Sequence, residues 1–466
     1  MADSEYSVPS SITRALRDAG MAPDTSMQAR ISEWWGWYTS TVTFYDEDVP
    51  MGDGRTMHRH RVTIHPARRV CREWASLLLN DKTTITADND AADQWLRSWL
   101  ASSHLVQRGQ GMVERAFALG TGAWALSFDL RDGTVTATRP RRYDARQVLP
   151  LSWDEDSCTE CAFASVTMAH GARLDQLQVH AVDPETGTYH VRTRVFSRDR
   201  EVDAEALGMI PDYDTGSAMP TFALVRPAID NVYSDGSAMG QSVFADATGA
   251  IAAVDNAFDS IVREIDATKV KTFVADQMFG SRLDVAPDGT ERRVTLLPSP
   301  DASIVRVMST DPDLISTFAP DIRIDPLRQA LDVALDELGD LTGFGQKYFA
   351  LAGTTGLKTA TEVAADSSAL MRNVAKHGHL LGDALRSICE AALAANGFDD
   401  ASVSVDLDDS IIADTASDKA QMLSEVAAGL VPGWMYLQRF YGMTEDDARA
   451  AASEAASGVA APAFGA

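Results

Sequence analysis

Two stretches of this chain repeat apolar residues every 3.5 positions, which restricts them to helices that present one narrow seam to a partner. Phe244, Ala247, Ile251, Val254, Phe258, Ile261 and Ile265 follow alternating steps of 3 and 4. Leu327, Leu331, Ala334, Leu338 and Leu341 follow alternating steps of 4 and 3. Positions off the seams are rich in acid: Asp246, Asp255, Asp259, Glu264 and Asp266 on the first helix, Asp332, Asp336, Glu337 and Asp340 on the second. An ordinary helical hairpin inside a globular domain satisfies such a seam as well as a stalk does. The insert between the helices favours a stalk. Residues 271–320 carry the short β-prone runs KTFVADQMF, RRVTLLP and SIVRVMS, a Pro287-Asp288-Gly289 turn, and the breakers Asp311-Pro312 and Pro320. The pattern predicts a small β-containing module at the tip of a two-helix stalk.

Further folded regions are required, because 466 residues exceed the roughly 250–300 that one hydrophobic core serves. The first half reads as mixed α and β. Helices are expected within residues 1–40, broken near Gly20 and Pro23. Another is expected at 66–80, where Pro66 suits a first turn and Val70, Trp74, Leu77 and Leu78 share a face. Two more fill 91–119 and end at Gly120. From Ala123 to about Arg226 the pattern turns to strands, in WALSFDL, TVTATRP, CAFASVTM, QLQVHAV and YHVRTRVF, with Asp132-Gly133 as a hairpin turn. After the second seam, Gly343, Gly345, Gly353 and Gly356 predict a mobile loop, or a helix broken by one, over 343–358. A long helix follows the capping box Thr359-Ala-Thr-Glu362, with Val363, Ser367, Leu370, Val374, His377, Leu381 and Ile388 on one face and Gly378 and Gly382 as places for a bend. The strand SVSVDLDD, acidic helices from about Thr415 and a loose Ala-rich tail after Ser453 complete the chain.

Charge narrows the function. Lys and Arg total 41 against 67 Asp and Glu, a net of −26. A protein that grips nucleic acid through its phosphates needs positive faces, so the chain as a whole repels DNA; local binding, or contact without grip, stays open. No apolar run approaches the ~20 residues of a membrane-spanning helix. The start, MADSEYSVPSS, lacks the basic and apolar regions of a secretory signal. Four cysteines cannot build a disulfide framework, which suits a reducing interior.

Catalytic motifs are sparse. Gly353-Thr-Thr-Gly356-Leu-Lys358-Thr359 lacks the spacing of a phosphate loop. Gly236-Ser237-Ala-Met-Gly240 has Asp235 where a nucleophile elbow needs glycine. Cys158-Thr-Glu-Cys161 and His170 give three ligands where structural zinc takes four. They read either as a metal-dependent enzyme site or as residues of a strand-rich stretch. No cofactor and no enzymatic activity are expected. The run from Arg55 to Arg72 holds six arginines, three histidines and no acid; it is a nucleic-acid patch, or a solvated or interface face opposing the acidic remainder. Trp34, Trp35, Trp37 and Tyr38 lack the interleaved cations of a base-stacking surface and suit core or subunit packing.

The order of these parts resembles the portal proteins of tailed double-stranded DNA phages, of the siphophage type. The strings that carry the resemblance are PARRVCREWASLLLN, ERAFALGTGAWALSFDLRDG, GQSVFADATGAIAAVDNAFDS, GLKTATEVAADSSALMRNVAKHGHLL and DLDDSIIADTASDKAQ, and the similarity runs over roughly residues 25–450. It implies an α+β, mainly α, portal-type fold assembled as a cyclic ring, usually of about twelve subunits, at one capsid vertex. The implied regions are a wing at 1–240 with 359–413, stem helices at 241–270 and 321–342, and a clip at 271–320. A tunnel loop at 343–358 and a crown with its tail at 414–466 complete them.

The implied residue roles follow this map. Phe244, Ile251, Val254, Phe258, Ile261, Leu331 and Leu338 pack the stem. Arg292 and Arg293 on the clip receive the terminase large subunit, which supplies ATP hydrolysis. Lys347, Tyr348, Phe349 and Lys358 face the double-stranded DNA that passes during packaging and ejection. The other implied partners are the major capsid protein, a head–tail adaptor and a scaffolding protein, with no membrane. The implied location is the virion, after assembly in the host cytoplasm. A different ring or scaffold protein of a virion is the alternative. The charge suits a conduit: strong phosphate contacts repeated round a ring would trap DNA, whereas an acidic wall with a few cations lets it pass.

Overall fold

A computed structural model of the protein describes residues 8–50, 54–131, 134–154, 157–169, 171–275, 281–285, 287–295, 304–308, 315–350, 360–407, 422–441 and 443–458. Helices α1 (Ser10–Asp18) and α2 (Gln28–Thr39) are separated by Gly20, at φ 73°, and Pro23. Helix α2 buries Ile31, Trp34 and Tyr38, with Trp35 and Trp37 half-buried against the same core, so the aromatic cluster is internal packing. A hairpin of β1 (Asp46–Pro50) and β2 (Thr56–His60) leads into α3 (Pro66–Leu78), which starts on Pro66 and buries Val70, Trp74 and Leu78. After β3 (Thr84–Ala87), Asn89 caps α4 (Asp90–Ser103) by accepting from the Ala92 amide at 2.8 Å. His104, in the left-handed region, divides α4 from α5 (Leu105–Leu119), which ends at Gly120.

Strands then take over. They are β4 (Gly122–Arg131), β5 (Thr134–Asp144), β6 (Val148–Asp154), β7 (Ser157–Ala169), β8 (Ala172–Val182), β9 (Tyr189–Ser197), β10 (Arg200–Val202), β11 (Asp212–Asp214) and β12 (Phe222–Val225). One sheet has the order β12-β4-β5; the other is a meander, β10-β9-β8-β7-β6, with β11 also on β9. Alternation along β8 shows how the layers stack. Leu177, Val179 and Ala181 pack under α1 with Ile12, Ala15 and Leu16. Gln176, Gln178 and His180 take the opposite face and are buried too. There Arg141 donates to Gln176 at 2.8 Å, Tyr143 to Gln178 at 3.0 Å, and His180 pairs with Thr221 at 2.7 Å. A buried polar face survives only because such partners exist.

The rest of the chain returns to helix. Two seam helices, α6 (Thr248–Ala267) and α7 (Ile324–Leu341), flank the tip strands β13 (Lys271–Ala275), β14 (Ser281–Val285), β15 (Glu291–Thr295), β16 (Ile304–Val307) and β17 (Ile315–Phe318). The long α8 (Ala360–Ala394) buries Leu370, Val374, His377, Leu381 and Ile388 along one side, and β18 (Val403–Asp406) pairs antiparallel with β3. Helices Gly433–Tyr441 and Glu445–Gly458 pack together near the C-terminus. Helix makes up 43% and strand 26%, so the class is mixed; helix leads in total, while residues 122–225 are dominated by strand. The main core joins α2, α3, α5, β4, α6, α7 and α8.

Candidate stem, strap and channel-loop site

The seam forms between α6 and α7. Ile251 and Val254 meet Leu331, Ala334, Leu335 and Leu338 in a buried layer, while Phe258 and Ile261 are half-buried. Ile265 and Leu341, at the outer ends of the two repeats, are exposed. Phe244 is fully buried but is not a helical seam residue, because α6 begins only at Thr248. The Val243 amide donates to Phe117 O at 2.9 Å and the Phe244 amide to Ser242 Oγ at 3.3 Å, which ties this approach segment to the end of α5. The 3.5 spacing therefore begins four residues before the helix that it describes.

Three acids off the seam are buried as well. Asp255 Oδ2 accepts from Tyr45 Oη and Thr63 Oγ1, both at 2.7 Å, and its Oδ1 from the Ile64 amide at 2.9 Å. One turn on, Asp259 Oδ1 accepts from the Val62 amide and Arg59 Nη1, both at 3.1 Å, and its Oδ2 from Arg59 Nη2. Burial alone would raise the Asp259 carboxyl; the Arg59 and Val62 bonds reverse this and hold it below the ordinary carboxylate range. Near the end of α6, Arg323 grips Glu264 through Nε at 3.0 Å and Nη2 at 2.8 Å, which lowers that carboxyl too. Residues 59–64 thus form a strap along α6.

The basic run is consumed by such internal contacts. Besides Arg59, His58 pairs with Asp48, His60 with Asp46 and Arg72 with Glu114, and Arg68 lies over the Tyr38 ring. The run is an interface face, and the interface lies within the chain. Sequence reasoning missed the strap. Its signal was a pair of acids at i, i+4 on an apolar helix together with an acid-free basic segment elsewhere.

The described residues of the tip module form two small sheets. Strand β13 pairs parallel with β16 and antiparallel with β17, and β14 pairs with β15 as a hairpin. A parallel pair needs a crossover, and the chain between β13 and β16 carries that hairpin. Arg292 and Arg293 lie on β15, in register with Asp284 and Leu283.

The glycine-rich segment begins as a fixed turn. Gly343 and Gly345 have φ of 84° and 86°, and the amides of Phe344 and Gly345 both donate to Gly339 O, at 2.9 and 3.0 Å. Asn373 Nδ2 donates to Gly343 O at 2.8 Å. Trp74 Nε1 donates to Thr342 O at 3.0 Å. A mobile loop is therefore not what residues 343–349 form. Phe349 is buried against Phe344, with the Arg69 guanidinium 5.1 Å from its ring, so the expectation of an exposed Tyr348-Phe349 pair is corrected: Phe349 is a core side chain. Tyr348 is partly exposed and donates to Glu73 at 3.3 Å; burial and that carboxylate push its phenol up to about 12. Lys347 is exposed, and its amide donates to Asp336 at 3.1 Å. Lys358 and the capping residue Thr359 lie outside the described residues.

Cys158 and Cys161 are residues of β7. Cys161 is buried, which pushes its thiol up, and Cys158 Sγ donates to Glu160 O at 3.3 Å. His170 lies outside the described residues, among which no group of three His, Cys, Asp or Glu side chains could hold a metal ion. Among the described residues no helix is long and apolar enough to cross a membrane.

A family model described as "Phage portal protein, SPP1 Gp6-like" matches residues 37–459. The chain belongs to the phage portal protein family. The family is a structural one. The match starts at Trp37, within α2, and takes in the strap, the seam hairpin and the glycine-rich segment of this portal-family chain. No curated protein sequence matches it. The fold is similar to a chain in the neck of a native gene transfer agent (GTA) particle computed with C12 symmetry, with a TM-score of 0.45 and 10% identity over 92% of this chain and 98% of that one. A chain in the neck of an empty GTA particle computed with C6 symmetry gives 0.45 and 10% over 94% and 97%. A chain in the virion of a native GTA particle gives 0.42 and 11% over 81% and 89%.

Proposed function

We propose that this portal-family protein forms a closed ring at one vertex of a phage-like capsid, and that double-stranded DNA enters and leaves through its axis. The observation that carries this reading is the family match across residues 37–459. In this reading the seam hairpin is the stem, the β module at its tip is the clip, and the glycine-rich segment borders the channel. The terminase large subunit docks on the clip, where Arg292 and Arg293 contribute, and brings the ATP hydrolysis that drives packaging. The major capsid protein, a scaffolding protein and a head–tail adaptor contact the outer regions, and the ring resides in the virion after assembly in the host cytoplasm.

The charge of −26 supports passage rather than grip, since a wall with few cations offers DNA no deep binding wells. Lys347, Tyr348 and Lys358 are the channel-facing residues in this reading; Phe349, buried in the core, anchors the neighbouring Lys347 and Tyr348. Replacing Lys347 and Lys358 with Glu should leave the ring intact but reduce the DNA packaged or retained per particle. Particles that fill and hold DNA normally would remove these lysines from the channel. Replacing Arg292 and Arg293 with Glu should weaken terminase docking and spare assembly; lost assembly with unchanged docking would move the docking site elsewhere.

A further inference from the structure

A cavity of about 210 Å³ lies in the strand-rich region and shares no residue with the seam, the strap or the glycine-rich turn. One wall is the polar face of β8 and β9. There Gln178 stands opposite Thr193 across the two strands, and Gln176 lies two residues along β8 on the same face. Ser127 and Arg141 come from β4 and β5 of the other sheet. Residues 207–213 close a further side, with Gly208 at φ 71° in their turn. Met209, Ile210 and Val191 give the cavity an apolar patch.

The polar groups are mostly donors. Arg141 Nη1 donates to Gln176 Oε1 at 2.8 Å. A guanidinium cannot accept, so this bond turns the carboxamide oxygen of Gln176 toward Arg141 and leaves its NH₂ group unengaged. Tyr143 Oη occupies the oxygen of Gln178 in the same way, at 3.0 Å. Gln176 and Gln178 are only 2% and 3% exposed, yet neither Nε2 finds an acceptor among the described residues. The hydroxyls of Ser127, Thr193 and Tyr213 also have no hydrogen-bond partner among the described residues. Asp129, the acid on the lining, is already paired with Arg139 at 2.6 Å. Arg141 is half-buried and forms no ion pair among the described residues.

Buried polar groups without partners call for an explanation. Water can fill a polar cavity and satisfy amides and hydroxyls. It brings no counter-charge to a guanidinium withdrawn from bulk solvent. We propose that this cavity binds a small organic carboxylate. Its planar oxygens match the remaining N–H groups of Arg141 and the two carboxamide NH₂ groups. Its carbon chain lies against Met209, Ile210 and Val191, which a bare inorganic anion would leave uncovered. The volume limits the ligand to an acid of a few carbons.

Pentanoate is the probe, with pentanamide as its uncharged counterpart and inorganic phosphate as an anion without a carbon chain. Isothermal titration calorimetry on the full chain should show one pentanoate bound per chain. Pentanamide and phosphate should each bind at least about tenfold more weakly. Hydrogen exchange at 207–213 should slow when pentanoate is present. Arg141→Gln should abolish binding, but it also removes the bond to Gln176. Thr193→Val keeps that bond and the side-chain shape and removes a hydroxyl that has no protein partner. It should leave the melting temperature of the free protein unchanged and weaken pentanoate by about two- to tenfold. No saturable heat from pentanoate would mean a hydrated cavity only and would overturn the proposal. So would equal affinity for pentanamide, phosphate binding as tightly as pentanoate, or full affinity in both variants.

Discussion

The indole Nε1 of Trp74 donates to the main-chain oxygen of Thr342 at 3.0 Å, and this bond fastens α3 to the C-terminal end of α7. A carbonyl at a helix end has no partner within the helix, and Thr342 is buried, so the indole satisfies an acceptor that water cannot reach. The Trp74 ring also lies 4.5 Å from that of Phe344 and 4.7 Å from that of His377. Helix α3, the turn after α7 and the long α8 thus meet on one side chain.

Trp74→Phe keeps the ring packing and removes the donor. Stranding a buried carbonyl costs about 1–3 kcal/mol. The denaturant midpoint should fall accordingly, and amides at 343–349 should exchange faster with solvent. Unchanged stability and exchange would reduce Trp74 to a space-filling role.

Arg59→Ala should cost about 3–5 kcal/mol, because it leaves Asp259 buried without its counter-charge. Arg59→Lys should fall between the two, since an ammonium cannot reproduce the two-pronged grip. Equilibrium unfolding of the three proteins gives the order directly. Equal stability of wild type and Arg59→Ala would mean that the strap does not hold α6.

A Cβ on Gly339 would lie 2.5 Å from Gly345 O, closer than any real contact. Gly339→Ala should therefore push the 343–345 turn away from α7 at a cost of about 1–3 kcal/mol. A crystal or cryo-EM structure of the variant with this turn unmoved would show that the close approach is not what fixes the loop.

Much of this fold is legible in the sequence where the apolar period is strong. The α3 face, the β7–β9 alternation and the Ile251, Val254, Leu331 and Leu338 layer are local patterns that packing confirms. The failures share a cause: they depend on partners distant in sequence. Asp255 and Asp259 read as ordinary off-seam acids until Arg59 and Thr63, nearly 200 positions earlier, are brought against them. The glycines at 343 and 345 suggest freedom, but Gly339 and Asn373 use them for a tight turn. Phe349 looks like half of an exposed aromatic pair until Arg69 and Phe344 enclose it. The roles of Lys347, Arg292 and Arg293 depend on other molecules, and no local pattern encodes them.

Two buried histidines set a pH dependence. Burial holds His180 down at about 3 and His377 at about 4, and the Ala228 amide donates to His377 Nδ1 at 2.8 Å. Unfolding frees both to titrate near 6.5. Their folded pKa values are depressed, so the stability is full above about 6.5 and drains as the pH falls toward 4 and then 3. The loss approaches about 1.4 kcal/mol per pH unit for each histidine. His377→Asn, which keeps an acceptor near the Ala228 amide, should flatten the fall in melting temperature between about pH 6.5 and 4.5. An unchanged slope would place the acid sensitivity elsewhere.

The native mass of the purified, unmodified protein decides whether this chain is a ring subunit. The expected species is one discrete particle, an integral multiple of 50.3 kDa near about twelve copies, with an axial hole in electron micrographs. Monomers at every concentration, or open filaments without a fixed mass, would contradict it.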